Sequence, residues 1–210
     1  MQQFQSLLCN FYLFVKYLLG GGVKRRLTQT IVVTILKNAK ANFYEKSIIF
    51  YGMPVLNIQK GANIFIGQHF ICTSGIQYPI DNRICSKINV MKDATLSIGD
   101  DVGMSNTCIH CHKSITIEKG TKIGAGCLIV DTDFHSLHWE DRADHTDIEK
   151  RQCKPVHIGA YAFIGTNSII LKGVNIGEKA IIGAGSVVSR DIPSGEIWGG
   201  NPAKFIKKIP

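Results

Sequence analysis

Branched apolar residues recur at every sixth position near the end of the chain. They are Ile158, Ile164, Ile170, Ile176, Ile182 and Val188. The next residue is mostly glycine, and the residue four positions on is mostly small. Neither the 3.6-residue period of a helix nor the two-residue alternation of a strand gives this spacing. It predicts a parallel β-helix, in which short straight segments joined by tight corners each turn one branched side chain inward.

The same spacing continues upstream with interruptions. It predicts inward side chains at Ile58, Ile66, Ile98, Met104, His110, Ile117, Ile123 and Ile129. It predicts smaller or packed inward partners at Ala62, Phe70, Val102, Cys108, Thr121 and Cys127. Residues 75–87 and 131–155 lack the repeat and are predicted loops. The second is long, polar and charged, and such an excursion from a regular solenoid is more often functional than accidental.

Residues 1–45 differ from the rest, which predicts an N-terminal helical segment before a β-helix domain at 46–210. Apolar residues recur at helical spacing up to residue 19, and basic residues 24–26 precede a second apolar stretch. The first run is shorter than a bilayer span, and Lys16 interrupts it. Two roles stay open: a helix covering the open end of the β-helix, or an interfacial helix with residues 1–26 on anionic lipid.

Composition narrows the class of protein. The 210 residues are 45% hydrophobic and 19% charged, which suffices to build a core. The net charge is +8, but lysine and arginine are scattered without an aromatic-basic module, so we predict no nucleic-acid partner. A polyanionic small ligand or an anionic membrane surface would explain the charge equally well. Seven cysteines without a secretory signal predict a reduced, cytoplasmic protein, with any membrane contact on the inner face.

One short motif points to a different chemistry. Residues 108–112 read Cys-Ile-His-Cys-His, the form of a c-type haem attachment signature. Haem attachment requires an exported protein and a second axial ligand, whereas this stretch follows the β-helix spacing. Zinc is the other option, but no histidine pair has the helical spacing of a metalloprotease. We therefore predict no haem and no metal.

Four features together resemble the hexapeptide-repeat acetyltransferases. They are the six-residue repeat, D-T-D-F-H-S at 131–136, I-I-G-A-G-S-V-V at 181–188 and G-N-P-A-K at 200–204. The similarity extends over about residues 55–210 and is nearest to maltose, galactoside and polysaccharide sugar O-acetyltransferases. It implies an all-β fold, a left-handed parallel β-helix, which is an exception to the right-handed crossover rule. It also implies a homotrimer with active sites between subunits, and acetyl-CoA as donor.

The resemblance assigns roles that agree with the chemistry of acetyl transfer. A hydroxyl is a poor nucleophile near neutral pH and needs a base, and the oxyanion that forms needs hydrogen-bond donors. His135 matches the family's catalytic histidine and is the predicted base. Asp131 and Asp133 are both near enough in sequence to orient its ring. Asn106 and Asp133 are the predicted acceptor contacts, although Asn106 would equally suit a corner of the coil.

The donor site is predicted from the same resemblance. The pantetheine arm of the donor needs small side chains and free backbone N–H groups along its path. The backbone N–H of Thr166 is the predicted donor to the oxyanion. The matching positions are Phe163, Gly165, Thr166, Ala184, Ser189 and Arg190. A short C-terminal helix is predicted, with Asn201 as N-cap and Pro202 at its first position. That helix would place Lys204 and Lys207 on one face for the nucleotide phosphates.

The sequence therefore predicts an acetyl-CoA-dependent O-acetyltransferase acting on a sugar or surface-polysaccharide unit. The acetyl group would move directly within a ternary complex. Serine, an amino sugar or an antibiotic are alternative acceptors for the same donor machinery. A zinc enzyme like the gamma-type carbonic anhydrases uses the same solenoid, but His112, His135 and His138 give no clear counterpart of its three ligands. A purely structural β-helix, without affinity for coenzyme A, is the third alternative.

Overall fold

A computed structural model describes residues 21–75 and 85–210. Its helices are α1 (Gly21–Asn38), α2 (Trp139–Ala143) and α3 (Asp147–Lys150). The first ten strands are β1 (Asn42–Phe43), β2 (Ile49–Tyr51), β3 (Val55–Ile58), β4 (Asn63–Ile66), β5 (Ile71–Thr73), β6 (Lys87–Val90), β7 (Thr95–Ile98), β8 (Gly103–Ser105), β9 (Cys108–Cys111) and β10 (Ser114–Ile117). The next ten are β11 (Lys122–Ile123), β12 (Leu128–Val130), β13 (Val156–Ile158), β14 (Phe163–Ile164), β15 (Ile169–Ile170), β16 (Asn175–Ile176), β17 (Ile181–Ile182), β18 (Val187–Val188), β19 (Glu196–Gly199) and β20 (Lys204–Lys208).

The strands form three sheets that the chain visits in turn. Sheet A has the order β1-β4-β7-β10-β13-β16, and sheet C has the order β3-β6-β9-β12-β15-β18. Sheet B has the order β2-β5-β8-β11-β14-β17-β19-β20. Neighbouring strands pair in parallel until the final pair, β19 and β20, which is antiparallel. Three successive strands complete one coil, so the predicted parallel β-helix is confirmed.

Stacked isoleucines explain why the six-residue repeat gives this fold. In sheet A, Ile98 pairs with Ile117, Ile117 with Ile158, and Ile158 with Ile176. The six inward residues predicted between 158 and 188 are completely buried. Each fully buried branched side chain contributes roughly 1.5–3 kcal/mol. The core of the β-helix is therefore a ladder of such contacts along its axis.

The predicted inward positions fail at strand β9. Ile109 and Cys111 point inward and are fully buried, whereas Cys108 and His110 are on the outer face and half-buried. Parallel pairing sets Ile109 opposite Ile88 and Cys111 opposite Val90, both buried. A shift of one residue exchanges the two faces of a strand, and the apolar pair wins the inner face. His110 and Cys108 were therefore wrongly predicted as inward.

The segment predicted as a loop at 75–87 leaves and rejoins the coil at one place. The Ser86 hydroxyl donates to the Thr73 carbonyl at 3.0 Å, and the Ser86 backbone N–H donates to the Ser74 hydroxyl at 3.0 Å. Lys87 already belongs to β6. Residues 76–84 lie outside the described part of the chain, so the loop itself stays a prediction.

Helix α1 packs against the first coil. Its side chains Ile31, Val32 and Leu36 are buried in the core. Gln29 fastens the helix to β2, because its amide donates to the Ile48 carbonyl at 2.8 Å and accepts the Phe50 N–H at 3.1 Å. For residues 21–38, the helix thus packs against the first coil of the β-helix, and the capping role of the N-terminal segment stays a prediction. Residues 1–20 lie outside the described residues. Between 21 and 75 and between 85 and 210, no helix is long and apolar enough to cross a membrane.

The predicted C-terminal helix is wrong. Residues 204–208 form β20, which pairs with β19, and the Trp198 and Phe205 rings contact edge to face at 6.2 Å. The edge of sheet B offers backbone partners and an aromatic contact that an exposed helix would lack. A bulge skips Ile206, so that Lys204 lies opposite Gly199 and Lys207 opposite Ile197. Gly199 and Ile197 are two residues apart in β19 and therefore lie on one face of the sheet. Their partners Lys204 and Lys207 consequently lie on one face of the hairpin as well.

Candidate active site

The excursion at 131–155 is closed at its base. It leaves the coil after β12 and returns at β13, at the corner between sheets C and A. Thr132 and Cys153 form an antiparallel bridge. The Asp133 N–H donates to the Gln152 carbonyl at 3.1 Å, and the Lys154 N–H donates to the Asp131 carbonyl at 2.9 Å. The excursion is therefore held at a fixed place on the β-helix.

Neither aspartate predicted to orient His135 does so. The buried Asp131 carboxylate accepts the backbone N–H groups of His112, Lys113 and Ser114 at 2.7, 2.7 and 2.8 Å. Its bonds close the turn between β9 and β10, which explains why a charged group is tolerated there. Asp133 forms an ion pair with Lys172, with 3.3 Å between the carboxylate oxygen and the ammonium nitrogen.

The partner of His135 is Asp147, the first residue of α3. The Nδ1 atom of His135 is hydrogen-bonded to the Asp147 carboxylate. The Asp147 side chain is only 12% exposed, whereas the imidazole is 61% exposed. A carboxylate on Nδ1 fixes the ring tautomer and leaves Nε2 as the nitrogen that can accept a proton. Sequence reasoning missed Asp147, although an acidic residue in the D-I-E-K turn of the excursion was the available signal.

A second carboxylate, that of Asp141, lies beside this pair. It accepts the Ser136 hydroxyl at 2.6 Å and pairs with the Lys150 ammonium at 2.6 Å. These two bonds, with that from Lys150 the stronger influence, lower the pKa of Asp141. The Arg142 guanidinium donates to the Ser136 carbonyl at 2.5 Å. His138, immediately before α2, is exposed and carries no comparable contact to the pair.

Phe134 packs on two histidines of the β-helix wall. Its ring meets His110 and His112 edge to face, with centroid distances of 5.3 and 5.8 Å. Its φ of 65° lies in the left-handed region that bulky residues rarely adopt. Burial lowers the pKa of both histidines, aided by the charge of Lys87 at His110 and of Arg151 at His112. Both sites therefore favour the neutral ring.

The metal and haem hypotheses find no matching geometry. In the part of the chain that the structure describes, no three His, Cys, Asp or Glu side chains converge so as to hold a metal. Cys108 and Cys111 lie on opposite faces of β9, with Cys111 inside the core. The two thiols of the Cys-Ile-His-Cys-His motif therefore cannot bind the same ligand.

Asn106 occupies a corner of the coil. It is fully buried and has a φ of 39°. Its side-chain oxygen accepts the Gly75 N–H at 2.9 Å, and its amide nitrogen lies 3.5 Å from the Gly75 carbonyl. The amide thus fastens the start of the 76–84 segment, which is the corner role that the sequence had left open beside acceptor binding.

The predicted donor-site residues fall at two corners and the end of the β-helix. Gly165, Thr166 and Ala184 share the corner between sheets B and C, where a Cβ atom on Gly165 would lie 2.5 Å from the Ala184 nitrogen. The Phe163 ring, 49% exposed, lies on the adjoining face of sheet B. Ser189 and Arg190 are exposed at the corner between sheets C and A, beyond β18. Lys204 and Lys207 lie on the terminal hairpin described above.

Sequence comparison matches this chain to a hexapeptide-repeat family model and to a curated acetyltransferase. The family model for the hexapeptide repeat of succinyl-transferase matches residues 155–190. A 2,3,4,5-tetrahydropyridine-2,6-dicarboxylate N-acetyltransferase from Lacticaseibacillus paracasei is 53% identical over 62 residues, or 30% of this chain. The match covers 26% of that enzyme, so the chain spans about a quarter of the length of this curated relative.

Solved structures share the fold over most of the chain. A hexapeptide-repeat acetyltransferase from Vibrio cholerae, complexed with acetyl-CoA, is 18% identical with a TM-score of 0.57. That similarity covers 100% of this chain and 88% of the other. The polySia-specific acetyltransferase NeuO is 25% identical with a TM-score of 0.50, covering 80% of this chain and 84% of that one.

Proposed function

We propose that this chain, which carries the hexapeptide repeat and has the fold of the hexapeptide-repeat acetyltransferases, is an acetyl-CoA-dependent O-acetyltransferase. The observation that carries the proposal is the hydrogen bond between His135 and Asp147 on the excursion. An accessible imidazole held by a nearly buried carboxylate is the arrangement of a general base. The acceptor is a hydroxyl of a sugar or of a surface-polysaccharide unit.

In the proposed reaction the His135 Nε2 takes the proton of the acceptor hydroxyl as its oxygen attacks the thioester carbonyl. The new C–O bond forms while negative charge collects on the carbonyl oxygen, which the Thr166 backbone N–H stabilises. Collapse breaks the C–S bond, and the proton on His135 passes to the leaving thiolate of coenzyme A. Asp147 stabilises the imidazolium between these steps. The transfer is direct and needs no acyl-enzyme.

The donor is proposed to lie along the corner formed by Gly165, Thr166 and Ala184. The absence of large side chains at these three positions suits a thin pantetheine arm, with Phe163 beside it. Ser189 and Arg190, and the two lysines of the hairpin, Lys204 and Lys207, are proposed contacts for the distal part of coenzyme A. The shared face of the lysines supports a phosphate contact, because both positive charges point the same way.

The location of the base favours an active site between subunits. The excursion lies at the corner between sheets C and A. Gly165 and Ala184 lie at the corner between sheets B and C, so that the width of sheet C separates the two corners. Six extended residues span roughly 15–20 Å, and this separation supports a site that takes its base and its donor groove from different subunits. We propose a homotrimer with left-handed coils, in which His135 of one subunit serves the donor groove of its neighbour.

Two relatives bear on the acceptor. NeuO acts on polySia, which supports a sugar polymer, and an acceptor contact is then proposed at Asp133. Asn106, the other predicted contact, is fully buried and its amide is bound to Gly75, so it is not proposed to touch the acceptor. The Lacticaseibacillus relative is an N-acetyltransferase, which supports an amine acceptor as the second candidate. The same base and donor groove would serve both, since either nucleophile must lose a proton on acylation.

The test is an acceptor screen that follows thiol release from acetyl-CoA, with sugars, amino sugars and serine as acceptors. His135→Ala should lower turnover by roughly 10²–10⁴-fold, the usual effect of losing a general base. Acetyl-CoA binding, measured by calorimetry, should be retained. His138→Ala, on the same excursion, is the matched control and should keep wild-type turnover. Wild-type turnover in His135→Ala would remove His135 from the mechanism, and absent acetyl-CoA binding would favour a structural β-helix.

A further inference from the structure

We propose that Asp141 is a positioning residue that sets the geometry of the His135–Asp147 pair; this inference rests on the proposed function. Helix α2 buries none of its residues, and the only buried residue of α3 is Asp147 itself. The large apolar side chains Leu137, Trp139 and Ile148 are 69%, 66% and 49% exposed. Within one subunit, apolar packing therefore does not fix these two helices, and polar bonds hold them.

The Asp141 carboxylate joins the two segments that carry the pair. One oxygen accepts the Ser136 hydroxyl at 2.6 Å, and Ser136 directly follows His135. The other oxygen accepts the Lys150 ammonium at 2.6 Å, and Lys150 ends the helix that Asp147 begins. A single side chain on α2 thus bridges the base and its orienting acid. Losing it would free both segments at once.

The surroundings of this bridge favour a fixed geometry. The Ser136 residue is 3% exposed and the Asp141 side chain 15%, so the bond between them is shielded from water. Arg142, next in α2, donates to the Ser136 carbonyl at 2.5 Å and holds the same residue from a second direction. Bonds to an ionised carboxylate are shorter and stronger than neutral ones. The bonds from Lys150 and Ser136 lower the pKa of Asp141, which means that they favour its ionised form.

A positioning role predicts a particular kinetic defect. The chemical step depends on the placement of the imidazole, and a displacement of about 1 Å can cost about 10²-fold in rate. Acetyl-CoA contacts are proposed elsewhere, so its KM should not change. Asp141→Asn should therefore lower kcat by about tenfold or more while the KM for acetyl-CoA stays at the wild-type value.

The matched control is Asp144→Asn. Asp144 lies in the same excursion and binds the Thr146 hydroxyl and N–H at 2.6 and 3.0 Å, without touching Ser136 or Lys150. This variant should keep wild-type kcat. Lys150→Gln should show part of the Asp141→Asn defect, and the double variant should be no slower than Asp141→Asn, because residues of one network are not additive.

An NMR readout separates this inference from the proposed function. The His135 ring resonances, identified by their loss in His135→Ala, should shift in Asp141→Asn and stay unchanged in Asp144→Asn. If Asp141→Asn does not fold, Ser136→Ala breaks the same bridge and decides the question by the same measurements. Unchanged ring resonances with wild-type kcat in the folded variant would overturn the positioning role. Full activity of His135→Ala would instead overturn the proposed function.

Discussion

His110 and His112 occupy sites that disfavour their charged forms. Both are half-buried on the outer wall under Phe134. Burial is the main cause of the lowered pKa in each case. Lys87 strengthens the effect at His110, Arg151 and His110 strengthen it at His112, and Asp131 opposes it at both. The folded protein therefore binds fewer protons at these rings than the unfolded chain does.

This predicts a loss of stability on mild acidification. Stability is fully present above the ordinary histidine pKa and falls as the pH drops through it, because protons then bind the unfolded chain preferentially. The double variant His110→Asn/His112→Asn should lose less stability than wild type between about pH 7.5 and about pH 5.5. Thermal unfolding at the two pH values measures the difference.

His145→Asn is the control for that experiment, since His145 is exposed and its left-handed backbone suits asparagine. It should keep the wild-type pH dependence. An equally steep loss of stability in the His110/His112 double variant would assign the acid sensitivity to other groups.

At single residues, the sequence proposed His135 as the base but did not find the carboxylate that binds its ring. His135 could be found because residue type and the D-T-D-F-H-S motif coincide in a loop that breaks the repeat. Asp147 could not, because which acid reaches the ring depends on how α2 and α3 fold back over the excursion. Asp131 was misassigned for the opposite reason. It is near in sequence, but its carboxylate is already saturated by three backbone N–H groups.

Among the elements, the corners between sheets B and C bring successive coils into close approach. A Cβ atom on Gly165 would meet the Ala184 nitrogen at 2.5 Å and the Ile182 carbonyl oxygen at 2.7 Å. These are backbone atoms of the next coil and cannot turn aside. At Gly183, one coil further, the nearest atoms lie at 3.5 and 3.6 Å, because the chain beyond it departs into the β19–β20 hairpin.

Gly165→Ala should therefore destabilise the protein by about 1–3 kcal/mol, the usual range for overpacking. Gly183→Ala should be neutral or stabilise by up to about 1 kcal/mol, because alanine restricts the unfolded chain. Urea unfolding of the two variants is the measurement. Equal stabilities would show that the coil spacing adapts to a methyl group.

For the elements, the repeat predicted strands and corners wherever the period of six is unbroken. It failed at β9, where a polar and an apolar residue compete for the inner face and only pairing with β6 decides. It also failed at the C-terminus. The Asn201 and Pro202 signals for a helix start are genuine local preferences, but the open edge of sheet B provides partners that local sequence does not reveal.

For the whole molecule, the proposed site requires two subunits. A variant of this chain that lacks the His135 imidazole and a second variant that binds acetyl-CoA poorly should then restore activity to each other in mixed trimers. When His135→Ala and Lys204→Ala/Lys207→Ala subunits mix at random in equal amounts, each trimer that contains both variants has one interface with two intact halves, which is about a quarter of all interfaces in the population. Co-expressed, differently tagged subunits should recover activity at low acetyl-CoA above that of either variant alone.

Sedimentation of the wild type accompanies this test and should show a trimer. The Lys204→Ala/Lys207→Ala homotrimer should have a raised KM for acetyl-CoA and nearly unchanged kcat, since phosphate contacts act on ground state and transition state alike. Activity equal to the average of the two variants, or a fully active monomer, would contradict a shared site.

The closed base of the excursion has a consequence for how this protein can diversify. Because the Thr132–Cys153 bridge and its two neighbouring backbone bonds bring both ends to one point, the length of chain between them does not affect the stacking of the coils. The excursion is therefore an insertion whose length and sequence do not affect the β-helix that carries it. In the proposed enzyme, its sequence could be exchanged for another that carries a base and a different acceptor preference, while the proposed donor groove one corner away stays as it is.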